Sequence, residues 1–99
     1  MLHTINKSPF ERDSLDACLR LIDADSPVLF IEDGVLGTLD NTSVADQVKA
    51  MMADRKVYAL QPDLDARGVC GKVIDGIELV DYAGFVDLVV EHGSHAAWL

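Results

Sequence analysis

The sequence predicts an α/β domain: a three-layer α/β/α arrangement built on a mostly parallel sheet of about five strands. Short apolar runs closed by turn residues recur along the chain, as in "PVLFIEDG" and "KVYAL", and this is how strands buried on both faces read. Between them lie segments with apolar residues at three- and four-residue spacing, the mark of helices with one face turned to a core. Strands that alternate with helices must pair in parallel, because each connection has to cross the sheet. The 99 residues suit one domain, 1–99. A chain of this size buries roughly 60–65% of its unfolded surface, enough for a core without metal or disulfide staples.

Taken in order, "LHTI" is a short first strand. In "SPFE", Ser8 is a capping residue, Pro9 suits a first helical position, and Glu11 stands where a capping box wants an acid. A helix, broken near Asp13, then runs to about Ile22. "PVLFIEDG" is the second strand, closed by an Asp-Gly turn, and "GTLDNTS" reads as polar loop. Thr42 or Ser43 caps a second helix that lines up Val44, Val48, Met51 and Met52. "KVYAL" is the third strand, and "QPDLDARG" a helical turn stopped by Gly68. "IELVDY" is the fourth strand; the alternative, a hairpin in "VIDGIELV" turning at Asp75-Gly76, is the weaker choice. "AGFVDLVVEH" is a helix ended by Gly93, with Phe85, Leu88, Val89 and His92 at helical spacing, and "SHAAWL" adds a last short strand. Trp98 and Leu99 then stand at a chain end, where large apolar residues mark a partner contact.

Charge narrows the function. Seventeen acids face eight bases, a net charge of −9. The bases do not cluster, so direct binding to nucleic acid is not expected, since a phosphate backbone selects grouped Lys and Arg. The N-terminal stretch lacks the apolar run and cleavage site of a signal peptide, and the apolar runs are too short to span a membrane. A cytoplasmic location follows as the expectation, with both cysteines as free thiols.

In a parallel α/β fold, sites lie beyond the carboxyl ends of the strands. Those ends carry Asn6 and Lys7, Glu32 and Asp33, Gln61 to Asp63, and Asp81 with Tyr82. Glu32 and Asp33 are the types that hold magnesium in a phosphotransfer domain, but an acidic strand-to-loop turn is the preferred reading. His92 and His95 are separated by Gly93, and no further ligand completes a zinc set, so no metal is expected. No glycine-rich phosphate loop or nucleophile elbow is present, and no cofactor is called for.

The two cysteines remain. Leu15, Cys18, Leu19 and Ile22 share a helical stripe opposite Asp16, Arg20 and Asp23, which assigns Cys18 to the core, where thiols are inert. Cys70 sits in "ARGVCGKV" between glycines and near Arg67 and Lys72. Exposure and nearby cations favour thiolate, so on residue chemistry alone Cys70 is the more reactive thiol.

The stretches "MLHTINKSPF", "LFIEDGV", "KVYALQPDLDARG" and "VDYAGFVDLVVEHGSHAAWL", in this order and spacing, resemble the DsrH/TusB family of small sulfur-relay subunits almost end to end. The resemblance implies a DsrE-like fold and a heterohexamer with DsrE/TusD-like and DsrF/TusC-like subunits. It also implies relay of persulfide sulfur to a DsrC/TusE-like carrier, in sulfur oxidation or in 2-thiolation of the tRNA wobble uridine. Cys18 matches the first-helix cysteine of DsrH subunits and is by resemblance the candidate persulfide site, while the principal cysteine is attributed to the DsrE/TusD partner. Cys70 matches no family motif. Three readings follow: a subunit that carries persulfide on Cys18, a structural subunit of the same complex, or an unrelated small α/β signalling or binding domain.

Overall fold

The computed structural model describes residues 1–10, 14–22 and 25–98, apart from the side chains of Ser14, Asp16, Leu19 and Leu21. Five strands form a single sheet: β1 (Leu2–Ile5), β2 (Val28–Phe30), β3 (Val57–Leu60), β4 (Glu78–Val80) and β5 (His95–Trp98). Their order is β4-β3-β2-β1-β5, and every pairing is parallel, with His3 opposite Val28 and Ala96, Val28 opposite Val57, and Tyr58 opposite Glu78. The sheet is therefore parallel throughout. The hairpin alternative is not realised, since β4 pairs in parallel with β3. The Asp75-Gly76 turn carries Gly76 at φ 99, and the antiparallel pairing nearby is one isolated bridge between Leu39 and Val73.

The helices α1 (Ser14–Leu21), α2 (Ala45–Met51), α3 (Gln61–Ala66) and α4 (Tyr82–His92) fill the crossovers. Right-handed crossovers that step the same way across a sheet place their helices on one face. Steps β1 to β2, β2 to β3 and β3 to β4 go one way, and α1, α2 and α3 supply Leu15, Cys18, Val48, Met51 and Leu64 to one core with Ile5, Val28, Phe30 and Ala59. The step from β4 back to β5 runs the other way, and α4 packs Leu88, Phe85 and Val89 on the opposite face, against Leu2, Leu29 and Tyr58. The three layers follow from this reversal.

Local expectations met the structure unevenly. Val48 and Met51 are buried, with Val44 and Met52 packed beside them, so the predicted stripe of α2 holds. Its cap does not: α2 starts after Val44 with no side-chain cap bond. The Thr42 hydroxyl instead donates back to the Leu39 carbonyl at 3.4 Å. Ser8 accepts the Phe10 N–H at 3.2 Å, a local turn, and the described helix begins at Ser14. Glu11, Asp13, Asp23 and Leu99 lie outside the described residues, as do the side chains of Asp16 and Leu19. "GTLDNTS" is not all polar loop. Residues Glu32–Thr38 form a 3₁₀ helix, and Thr38 is fully buried with its hydroxyl donating to the Val35 carbonyl at 2.6 Å. Gly68 and Gly93, at φ 66 and 70, stop α3 and α4 as expected.

Trp98 does not project from the chain end. It sits half-buried against the main core, and its indole N–H donates to His3 Nδ1 at 3.0 Å across the β1–β5 pair.

Candidate functional site

The carboxyl ends of β2 and β3 bring together the acids that the sequence placed there. Glu32 follows β2 at φ 50, in the left-handed region that side chains other than glycine avoid. Its N–H donates to Asp63 Oδ2 at 2.6 Å, which holds that conformation from α3. Two residues on, Gly34 lies under the end of β1, where a Cβ would stand 2.0 Å from the Ile5 carbonyl oxygen. Only a residue without a side chain lets the 3₁₀ helix pack this close.

Arg67 offsets part of the charge, facing Asp33 and Asp63. Its Nη2 and Nε donate to Asp33 Oδ1 at 2.8 and 3.2 Å, and its Nη1 donates to the Asp63 carbonyl at 2.9 Å. Nη1 also stands 3.8 Å from Asp63 Oδ1. The carboxylates thus clip the 3₁₀ helix to α3, the structural reading preferred from the sequence. Asp81, at the end of β4, accepts the Gly84 N–H at 2.8 Å and caps α4. Sequence reasoning missed this cap, although Asp ahead of an apolar helix is its ordinary signal. Among the described residues no group of three His, Cys, Asp or Glu stands close enough to hold a metal ion. His95 instead shares a 2.8 Å hydrogen bond with Thr4 Oγ1 and meets the Phe85 ring edge-on, while His92 is half-buried in the last turn of α4.

The two cysteines are free thiols in different settings. Cys18 has no exposed surface and lies among Leu15, Val28 and Phe30 in the main core. Burial pushes its thiol up to about 11, with the Arg55 guanidinium opposing the shift less strongly. The helical-stripe reading of Cys18 as core is what the fold contains, and the enclosed thiol lacks the two properties sulfur relay needs, access and a lowered pKa. Cys70 opens a short 3₁₀ turn, Cys70–Lys72, and is half-buried. Its thiol is also pushed up, first by desolvation and then by the Asp65 carboxylate that takes its hydrogen bond. This corrects the expectation of an activated Cys70. Arg67 is turned to Asp33 and Asp63, and the charge that bears on the thiol is an acid in α3.

Away from the carboxyl ends, a shallow pocket of about 280 Å³ opens where β3 and β4 begin, lined by Arg55, Lys56, Tyr58 and Glu78 among others. The Nε and Nη1 of Arg55 are buried without a hydrogen-bond partner. The Tyr58 phenol is raised by burial and by Glu78 and Glu91.

The model of the family described as DsrH like protein matches residues 7–95. The chain belongs to the DsrH family. Protein TusB of Escherichia coli is 41% identical over 98 residues, covering 99% of this chain and 100% of its own length. Protein TusB of Yersinia enterocolitica is 37% identical over the same coverage. The fold of this DsrH-family chain resembles that of the ychN protein from E. coli, with a TM-score of 0.82 at 17% identity over 97% of both chains. A protein of unknown function from Methanobacterium thermoautotrophicum superposes with a TM-score of 0.73 at 15% identity, over 97% and 96% of the two chains. No described helix is long and apolar enough to cross a membrane.

Proposed function

We propose that this chain is a subunit of a cytoplasmic sulfur-relay complex, assembled with DsrE/TusD-like and DsrF/TusC-like subunits as a heterohexamer. Its place is in tRNA wobble-uridine 2-thiolation, upstream of a DsrC/TusE-like sulfur carrier, with no RNA contact of its own. Membership of the DsrH family and full-length likeness to proteins named TusB support this assignment over sulfur oxidation and over an unrelated signalling domain. Within the complex the chain is a structural subunit and the persulfide travels on a partner's cysteine. The observation that carries this division of labour is the enclosure of Cys18, whose thiol stays protonated far above neutral pH. Trp98, half-buried at the end of the edge strand β5, and Leu99, the next residue in the sequence, contribute to subunit contact.

A second reading keeps Cys18 as a persulfide carrier. The Arg55 guanidinium favours an anionic sulfur there, but α1 must open to admit a donor. Intact-mass measurement of the reconstituted complex after exposure to a persulfide donor separates the two. The structural reading expects no added sulfur on this chain, and unchanged delivery to the carrier by Cys18→Ser and Cys70→Ser complexes. A single sulfur on this chain that Cys18→Ser abolishes overturns it in favour of the second.

A further inference from the structure

The outer face of α4 is apolar where a surface helix should be polar. Tyr82, Val86 and Val90 recur every four residues and are 61%, 60% and 74% exposed, while the inner face packs Phe85, Leu88 and Val89 on the sheet. A helix apolar on both sides belongs inside something, and a continuous exposed apolar stripe marks a contact surface. The stripe is bordered by acid. Asp81, Asp87 and Glu91 are exposed along the same helix, and residues 73–99 contain five acids and no lysine or arginine. Lys56 approaches only the far end, where it shares a pocket with Glu91 and His92 and with none of the stripe residues.

We propose that the Tyr82–Val86–Val90 stripe docks a different protein chain, one whose contact face is an apolar strip bordered by lysine or arginine. The border decides the occupant. In a contact between two copies, a two-fold axis through the middle of the stripe would set Val86 on its counterpart and bring the neighbouring Asp87 side chains together. No cation of residues 73–99 could offset that repulsion, which grows as water is excluded. A basic-bordered partner turns the same carboxylates into steering and register contacts. The inference rests on the subunit reading above, and it names one of the two co-subunits as the occupant and α4 as the face.

The test mixes the purified chain with the DsrE/TusD-like and DsrF/TusC-like subunits of the same organism, reading association by calorimetry and mass by light scattering. Wild type binds one of them, more weakly as salt rises from about 50 to about 500 mM. Val86→Glu and Val90→Glu lower the affinity about 100-fold, whereas Phe10→Glu, at another half-exposed apolar residue, leaves it unchanged. Val90→Ser removes apolar area without adding charge and lowers the affinity about ten-fold, so the outcome does not depend on the glutamate variants folding normally. If wild type binds a co-subunit and the Val86 and Val90 variants bind equally well, the face is wrong and the sulfur-relay reading stands. A dimer of the chain alone that Val86→Glu dissolves makes the occupant a second copy and overturns the proposal. Wild type that binds neither co-subunit overturns the sulfur-relay reading, and the named occupant with it.

Discussion

Replacing Cys18 by alanine should change how stability depends on pH, because the thiol ionises in the unfolded chain long before it can ionise in the folded one. Its unperturbed value is 9.0 and burial raises it to about 11. The difference, 11 − 9.0, is a factor of about 100 in proton affinity, or roughly 2.7 kcal/mol. A raised acid holds its proton in the native state after the unfolded state has lost it. Between pH 9 and 11 the unfolded chain therefore binds fewer protons, and stability, full below about 9, falls as pH climbs toward 11. Tyr58, raised by burial, Glu78 and Glu91, adds a loss of the same sign, so wild type alone cannot isolate the thiol. Cys18→Ala keeps the tyrosine and removes the sulfur. It costs about 1–2 kcal/mol near neutral pH through lost packing. Because wild type alone loses roughly 2 kcal/mol from its thiol as pH approaches 11, this gap should close there or change sign. Urea unfolding of both proteins across about pH 7.5–10.5 measures it. In the same native samples a thiol reagent should modify Cys70 first and Cys18 only on opening. Parallel pH profiles, or equally fast labelling of both cysteines, would refute the claim that the core holds Cys18 neutral and sealed.

Three further outcomes are expected. Gly34→Ala, whose Cβ would meet the Ile5 carbonyl oxygen at 2.0 Å, should cost about 3 kcal/mol and lower Tm by roughly 10–20 °C; a melting curve like wild type would show that the 3₁₀ helix moves away easily. Arg67→Gln breaks contacts to Asp33 and Asp63 that are partly solvent-exposed, so the same melting assay should register a loss below about 1 kcal/mol; a loss as large as that of Gly34→Ala would make the clip a main support of the fold. The purified chain should not bind bulk tRNA in a low-salt anisotropy titration, since 17 acids face eight scattered bases, and micromolar, salt-sensitive binding would reveal a basic patch.

The strands were legible because burial on both faces leaves a local trace. Val28–Phe30 and Val57–Leu60 are buried at every position and read as unbroken apolar runs. The 3₁₀ helix at Glu32–Thr38 left no such trace: "EDG" signals a turn, and the reason the backbone coils there is tertiary, the place of Gly34 under Ile5. Cap assignment failed at α2 because two polar residues preceded the helix and neither side chain bonds its first turn. The candidate site divided along the same line. A helical stripe is local, so the burial of Cys18 could be read from its spacing. The setting of Cys70 could not. Arg67 and Lys72 are its neighbours in sequence, but Asp65 is the group that bears on its thiol, and Arg67 turns toward Asp33 of the 3₁₀ helix and back along α3 toward Asp63.

The topology also separates the enclosed thiol from the face where assembly would occur. Three crossovers put α1, α2 and α3 over one face, and they seal Cys18 beneath them. Among the described helices the other face carries only α4, eleven residues, or about 16 Å of helix. Five strands at about 4.8 Å spacing span about 19 Å between the outer pair, and a helix covers a strip only about 10 Å wide. One helix can cross that face but cannot cover its flanks, and among the described residues nothing covers Tyr82, Val86 and Val90. On the docking proposal a partner closes that side, and the sheet stands between that contact and the thiol. Perturbations on the two faces should therefore be independent, since they share no side-chain neighbours. A Cys18→Ser chain should assemble with wild-type affinity, and a Val86→Glu chain should protect Cys18 from thiol reagents as well as wild type does. Loss of assembly in the first, or rapid labelling of Cys18 in the second, would mean that the faces communicate through the sheet and that docking at α4 gates access to the sulfur.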